Sequence, residues 1–375
     1  MRDELPGGRR AAGGGADRGA LPRSGAARGD GPAGPRPGRD RVLAGPPRRP
    51  VRRAVHAVKV LVTGAAGCIG RAAQARLVAG GHGVRGLDVA AAPAGAPEWV
   101  RGDLLAADLA AACAGCEAVL HLAALVHRPE ITDPAEYRRI NVEGTRRLLE
   151  AAAAAGVPAA RFVLSSTVGV YPRDHDLHAD EDTPCAPRTP YGASKLEAER
   201  LVRERGGVVL RFPLLYGPGD RGRMAMLIRA IAGGRFVLPG PCAAPRSLVA
   251  SANAAEAMAL SLERAAAGCV YLVTDDDDAP VKRMVAAIVA ALPGRAMPPH
   301  VPLALLWPAA LAGSALATLG LPAPLTRGAL LKLSTPLTFS CARAKRDLGY
   351  RPVMALEPGL RQEVDEIVAS GAASR

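Results

Sequence analysis

"VKVLVTGAAGCIGRAAQARLVAGGHGVRGLDV" (residues 58–89) decides how the chain folds. The apolar run 58–62 has the length and β-branching of a strand buried on both faces. Gly64, Gly67 and Gly70 follow it at once, and then a helical stretch runs to the Gly80-Gly81 stop. A second short strand, Val84 to Val89, carries Asp88 near its end. The order is strand, glycine turn, helix, strand.

That order has a physical use. Glycines let backbone approach a pyrophosphate closely, and the helix beyond them offers unpaired N–H groups and the positive end of its dipole. Gly64, Gly67, Cys68, Ile69 and Gly70 are the expected cradle. An acidic side chain closing the second strand can take the ribose hydroxyls of an adenosine, which is the place of Asp88. No basic residue follows directly in "DVAAAP", so a 2′-phosphate lacks a partner and NAD is favoured over NADP.

Working outward, the alternation continues. "GDL" (102–104) closes another strand, "EAVLHLAAL" (117–125) is a fourth, "NVEGTRRLLEAAAAAG" (141–156) is a helix, and "ARFVLSST" (160–167) is a strand. Alternating strands and helices imply an α/β fold, a Rossmann-type doubly wound parallel sheet, whose ligands sit at the carboxyl ends of the strands. Gly64, Asp88, His121 and the "SST" triplet then share one rim. "TPYGASKLEAER" (189–200) opens a helix in which Tyr191 and Lys195 stand four positions apart, on one face. A phenol titrates near 10. An ammonium about 4–5 Å away would lower it by about two units at an effective dielectric near 20, making an acid–base pair.

Composition sets the limits. The 375 residues carry a net charge of +13, but residues 1–55 alone hold thirteen Arg and five acidic residues. The remainder is near +5, and aromatics are 3%, so no nucleic-acid surface is expected. Residues 1–55, rich in Gly, Pro, Ala and Arg, lack any hydrophobic period and are expected to be a disordered extension, or a start placed too early. They contain no signal-peptide core. The seven Cys include one CxxC pair, Cys113 and Cys116, with no second pair or histidines at ligand spacing, so no metal site is expected. Reduced thiols and a cytoplasmic setting follow. The "DDDD" run (275–278) reads as a solvated turn.

"VTGAAGCIG", "GDL", "HLAA", "NVEGT", "LSSTVGVY", "YGASK" and "LRFPLLYGPG" occur in that order. Together they resemble the extended short-chain dehydrogenase/reductase family, also called the NAD-dependent epimerase/dehydratase family. The resemblance implies Tyr191 and Lys195 as the catalytic pair, Thr167 as the hydroxyl that holds the substrate oxygen with Ser166 beside it, and Asn141 as active-site support. It implies Asp103 and Leu104 at the adenine, and Leu122, Ala123, Ala124 and Pro213 lining the cofactor cleft. Three departures matter. Val168 and Gly169 replace the acidic pair of the dehydratases, which argues against dehydration. Cys68 stands where phenylalanine is usual, and Ala252 replaces an aspartate ahead of Asn253.

The expected domains are the extension 1–55, a Rossmann domain 56–215, and a substrate-binding part 216–375 with segments returning to the sheet. In the last part Arg246 occupies a position where sugar-nucleotide enzymes of the family contact diphosphate, though steroid-type members carry a similar "RS" stretch. "LTRGALLKLSTPLTFSCARAKRDLGYRPVMALEPGL" (325–360) resembles the ending of the 3β-hydroxysteroid dehydrogenase branch. Ahead of it, "VPLALLWPAALAGSALATLGLP" (301–322) lacks any charge and is expected to be a buried helix pair, with a membrane-resting lid and a true membrane span as the alternatives. The implied activity is hydride transfer at a secondary alcohol or ketone of a steroid- or isoprenoid-like small molecule. A nucleotide-sugar 4-epimerase or 4-keto reductase is the second reading and a non-catalytic NAD sensor the third. The resemblance also implies a homodimer.

Overall fold

A computed structural model describes residues 57–126, 131, 133–172, 178–318 and 325–371. The extension 1–55 and positions 319–322 of the apolar segment lie outside the described residues. Strand β1 (Lys59–Thr63) leads into helix α1 (Cys68–Ala79), then β2 (Gly83–Asp88), β3 (Glu98–Arg101), α2 (Leu109–Cys113) and β4 (Ala118–His121). Next come α3 (Pro134–Arg138), α4 (Gly144–Ala154), β5 (Phe162–Thr167), β6 (His178–Ala179), α5 (Pro190–Glu204), β7 (Val208–Phe212) and β8 (Leu214–Tyr216). The chain continues through α6 (Arg223–Ala232), β9 (Leu238–Pro239), β10 (Pro245–Arg246), β11 (Leu248–Ala250), α7 (Ser251–Arg264), β12 (Val270–Leu272), β13 (Ala279–Pro280) and α8 (Val281–Ala291). It ends with β14 (His300–Val301), α9 (Leu303–Thr318), α10 (Arg327–Ser334), β15 (Thr338–Phe339), α11 (Ala342–Leu348) and α12 (Leu356–Ala369).

Among the described residues the main sheet has seven strands in the order β3-β2-β1-β4-β5-β7-β12. Every neighbouring pair in it is parallel. The chain steps outward from β1 to β3 and then returns to β4, so the order reverses between β1 and β4 and opens a crevice at their carboxyl ends. There Thr63 lies in register with His121. Alternation along β1 explains its unbroken apolar run. Val60 and Val62 face the cluster containing Ala73 and Leu77 of α1 and Met258 of α7, while Leu61 faces Leu109 of α2 and Leu148 of α4. β12 joins the sheet from far along the chain by pairing with β7, Val270 opposite Val209. A third core cluster joins β8, α6, α8 and α12 beyond the sheet.

Two expectations need correction. The acidic run is not all solvated: Asp275 is buried, accepting the Ala250 N–H at 2.8 Å, Asn253 Nδ2 at 2.7 Å and the Tyr216 hydroxyl at 2.8 Å. Asn253 in turn accepts the N–H groups of Val353 and Met354, so a position lacking the usual neighbouring aspartate is held by one from further along the chain. The apolar segment is also not a buried pair. Helix α9 packs on α10, but Leu305, Leu311 and Leu316 face outward, because among the described residues no further layer covers that side. Among the described residues no helix is long and apolar enough to cross a membrane.

Candidate active site

The crevice between β1 and β4 is shaped by glycines. Gly64 turns the chain with φ +68°, and a Cβ there would sit 2.7 Å from the Ala123 nitrogen. A Cβ on Gly70 would meet the Gly64 carbonyl at 2.2 Å, so α1 can approach this closely only with glycine. Gly67 is the N-cap of α1 and brings no side-chain cap, and the first turn carries no acidic residue. That N-terminus is chemically suited to a phosphate. Asp88, at the end of β2, accepts the N–H groups of Ala66 at 3.0 Å and Ala90 at 2.9 Å. A carboxylate offers about four acceptor sites, so capacity for ribose hydroxyls remains. Ile69 packs partly buried against the core. Cys68 points its thiol at the Gly217 carbonyl, 3.5 Å away, and burial pushes it up to about 12, so it is an inert packing group.

Beyond β4 the backbone of Leu122 and Ala123 is pinned by a directional chain. Both N–H groups donate to Thr63 Oγ1 at 3.2 Å, and Thr63 Oγ1 lies 2.8 Å from His121 Nδ1. On the other side His121 Nε2 lies 2.9 Å from Thr145 Oγ1, whose own proton goes to the Asn141 carbonyl at 2.6 Å. Thr145 must therefore accept from Nε2–H, and Nδ1 must accept from Thr63. This requires a neutral imidazole. Burial, with the Lys195 charge behind it, pushes His121 down to about 3, in agreement. Sequence reading placed His121 on the rim; the roles of Thr63 and Thr145 emerge only from the cross-sheet register.

Asn141 lies in a π-helical turn, Arg139–Glu143, an irregularity that re-aims its side chain. Its Oδ1 accepts the Leu125 N–H at 2.7 Å, and its Nδ2 donates to the Leu125 carbonyl at 3.0 Å and to Ser194 Oγ at 2.9 Å. Ser194 donates onward to the Tyr191 carbonyl at 2.8 Å. Helix α5 starts cleanly because Thr189 caps it through the Gly192 N–H and Pro190 opens its first turn.

The Thr167 hydroxyl, which accepts the Gly169 N–H at 3.0 Å, lies near enough to the Tyr191 phenol to favour its ionisation, and Lys195 follows one turn later, buried. Burial pushes the phenol up to about 12, against Thr167 and the Arg223 charge, both of which favour ionisation. Burial also lowers the Lys195 ammonium to about 8, partly offset by Glu199. The expected lowering of the phenol by Lys195 is therefore not found: burial dominates, and the groups that favour ionisation are Thr167 and Arg223. Arg223, on α6, had no sequence signal; the tertiary fold alone brings its charge toward Tyr191.

The remaining expected residues separate. Ser166 does not stand beside Thr167 facing the crevice. Its hydroxyl is buried and donates to Glu199 Oε1 at 2.5 Å. Successive side chains on β5 point to opposite faces, so Thr167 and Ser166 cannot serve one substrate. Glu199 also holds Arg211 through Nη2 at 2.6 Å, and Arg211 reaches the Tyr171 hydroxyl at 2.7 Å. Leu104 is buried beneath Gly144, while Asp103 stays exposed and caps its own turn through the Leu105 N–H. Ala124 and Pro213 are half-buried. Arg246 is half-buried in the β10–β13 pair, opposite Ala279, and its backbone also bridges to Leu337. The CxxC thiols are free and buried, and the described residues contain no group of three or more metal-ligating side chains.

Residues 60–273 match the model of the NAD-dependent epimerase/dehydratase family. The chain belongs to this family. It is an NAD-dependent enzyme with a Rossmann-type α/β fold. Among family relatives it is 32% identical to a 2-alkyl-3-oxoalkanoate reductase of Stenotrophomonas maltophilia, over 81% of this chain and 98% of that protein. It is 30% identical to a 3β-hydroxysteroid dehydrogenase/Δ5→4-isomerase of Mycobacterium tuberculosis, over 81% of this chain and 89% of the relative. Among solved structures, MoeE5 in complex with UDP-glucose and NAD is similar with a TM-score of 0.67 and 28% identity, covering 83% of this chain and 99% of that one.

The glycine cradle, the uncapped α1 N-terminus and Asp88 fit the family's dinucleotide. When bound, NAD accepts or returns a hydride. The chain's own groups can manage the accompanying proton. Tyr191 Oη holds a proton at neutral pH, Thr167 and the Arg223 charge favour its release, and the buried Lys195 ammonium stands one turn along the same helix.

Proposed function

We propose that this enzyme transfers hydride between NAD and a secondary alcohol or ketone carried on an apolar, steroid- or isoprenoid-like molecule. The observation that carries the chemistry is the Tyr191 phenol, buried near Thr167 at the end of β5, with the buried Lys195 one turn behind it on α5. In this reading Tyr191 gives its proton to the carbonyl oxygen during reduction and removes it during oxidation. Thr167 hydrogen-bonds the same oxygen and fixes its angle to the ring. Lys195 holds the nicotinamide ribose and stabilises the phenolate. Asn141 positions Tyr191 through Ser194. Gly64, Gly67 and Gly70 admit the pyrophosphate, Asp88 takes the adenosine ribose, and the backbone of Leu122 and Ala123 walls the cleft.

The substrate class rests on likeness along nearly the whole chain to a reductase of alkyl oxoalkanoates and a hydroxysteroid dehydrogenase. Leu214 and Leu215 support it, since the nucleotide-sugar reading favours a polar residue just before "YGP". The second reading, a nucleotide-sugar 4-epimerase or 4-keto reductase, is favoured by the likeness to a structure holding UDP-glucose. The discriminating experiment follows nicotinamide absorbance with NAD and 3β-hydroxysteroids or 2-alkyl-3-hydroxyalkanoates, while UDP-sugars are assayed separately for epimer. Net NAD reduction by the apolar alcohols alone is expected. Epimer formation without net absorbance change would overturn the substrate class and establish the second reading.

A further inference from the structure

Helix α9 has sixteen residues, none of them charged. A helix apolar on every side belongs in a core or in lipid. Here Ala310 and Gly313 are buried, whereas Leu305, Leu311 and Leu316 are 70%, 49% and 42% exposed. Trp307 is exposed on the same helix and Leu331 on α10. Val237 and Met297 extend the apolar surface; they lie just ahead of β9 and β14, whose pairing sets Leu238 opposite His300. Seven of the thirteen large hydrophobic side chains exposed among the described residues fall in these segments, so the exposure is concentrated rather than scattered.

The segments that carry this surface are rich in cations, of which Arg283, Arg343, Lys345 and Arg346 already pair with acids from other segments. Residues 221–255 and 279–346 contain thirteen Lys and Arg and no Asp or Glu. Arg235, Arg295 and Arg327 are exposed. Arg295 comes within 3.7 Å of the Cβ position at Gly234, and the Arg327 N–H donates to Ser314 Oγ of α9 at 2.9 Å, which sets these cations beside the apolar face. A second copy of the chain related by a twofold would bring the exposed Arg235, Arg295 and Arg327 of both copies toward one another, a like-charge juxtaposition. Anionic headgroups complement the rim, and the acyl boundary complements the leucines. At 1.5 Å per residue α9 is about 24 Å long, short of the hydrocarbon thickness of about 30 Å. Its geometry suits lying in the interface.

We propose that the α9–α10 hairpin seats the enzyme on an anionic phospholipid bilayer, with Leu305, Trp307 and Leu311 in the acyl boundary and the flanking arginines on phosphates. This docking stands whether the substrate is a steroid-like alcohol or a nucleotide sugar. The full chain is tested with vesicles of phosphatidylglycerol and phosphatidylcholine against phosphatidylcholine alone. Because residues 1–55 carry thirteen Arg that would bind anionic vesicles by themselves, the readout is placed at the hairpin. With Trp99→Phe, Trp307 is the one remaining tryptophan, and its emission should shift to the blue with anionic vesicles only. The combined Leu305→Ser, Leu311→Ser, Leu316→Ser variant, with unchanged helical circular dichroism, should partition at least about tenfold more weakly. Co-sedimentation with no Trp307 shift and no loss in the serine variant would mean that the N-terminal arm alone binds, overturning the proposal. A Trp307 shift on concentrating the protein without vesicles, with doubling of the mass, would assign the surface to a second copy and overturn it equally.

Discussion

Asn141 Nδ2 donates to Ser194 Oγ across 2.9 Å, and Ser194 passes the constraint to the Tyr191 carbonyl. With its other bonds to Leu125, Asn141 ties the loop after β4 to the first turn of α5. The side chain thus sets where the phenol sits without titrating itself. Asn141→Ala should lower kcat about 10²-fold, the cost of an ångström-scale misplacement, and leave the affinity for NAD nearly unchanged. Ser194→Ala should lie between this variant and the parent. Equal losses in NAD affinity and kcat would mean that Asn141 supports the cleft as a whole rather than the phenol.

Tyr191→Phe keeps the ring that packs edge-on to Tyr137 at 6.3 Å and removes the proton-carrying oxygen. Turnover should fall about 10²–10⁴-fold, the usual range for a lost general acid–base group, while quenching of protein fluorescence by NADH still reports binding. Retained turnover would remove Tyr191 from the chemistry.

The phenol is pushed up to about 12 by burial, so near neutral pH it holds its proton. Reduction needs that proton and oxidation needs it gone. The rate of alcohol oxidation should therefore climb with pH from 7 toward 10, approaching tenfold per unit while ionisation is the limiting requirement. Carbonyl reduction should be flat near neutrality and should not rise. Parallel profiles in the two directions would place the limiting proton elsewhere.

Much of this site was readable along the chain because its signals are local. The glycine spacing, Asp88 at a strand end and the four-residue step from Tyr191 to Lys195 each lie within one turn or one unit of secondary structure. What escaped reading depends on distant pairing. Thr63 matters because β1 aligns it with His121 on β4, and Thr145 completes the same chain from α4. Ser166 was misplaced because adjacency in "SST" suggests shared duty, whereas β-strand alternation sends it to Glu199. Asp275 looked like one of four equivalent surface acids until Asn253 and Tyr216 closed around it. α9 looked like core because its composition is that of a core, and only the fold shows that no other described segment covers its outer side.

Asp88 ends β2 with its two oxygens on the N–H groups of Ala66 and Ala90. A 2′-phosphate there would face a carboxylate of like sign, which disfavours NADP. Asp88→Ala should raise the dissociation constant for NAD about tenfold or more, the scale of hydrogen bonds to a charged group, and change that for NADP far less. Isothermal titration with both dinucleotides decides it, and equal losses would reject the carboxylate as the discriminator.

Glu363 on α12 is fully buried, with Oε2 accepting the Gly217 N–H of the "YGPG" turn at 2.7 Å. Burial first, then the nearby Asp220 and Glu366, push its carboxyl up to about 8. A carboxyl whose folded value lies above the unfolded value near 4.5 favours folding while protonated. Its contribution is complete below about pH 4.5, declines as the unfolded chain alone ionises, and reaches its minimum above about pH 8. Glu363→Gln keeps a carbonyl oxygen for Gly217 and cannot ionise. Its melting temperature should match the parent near pH 5 and exceed it by several degrees at pH 8. A difference independent of pH would show that packing, not ionisation, sets the cost of this buried acid.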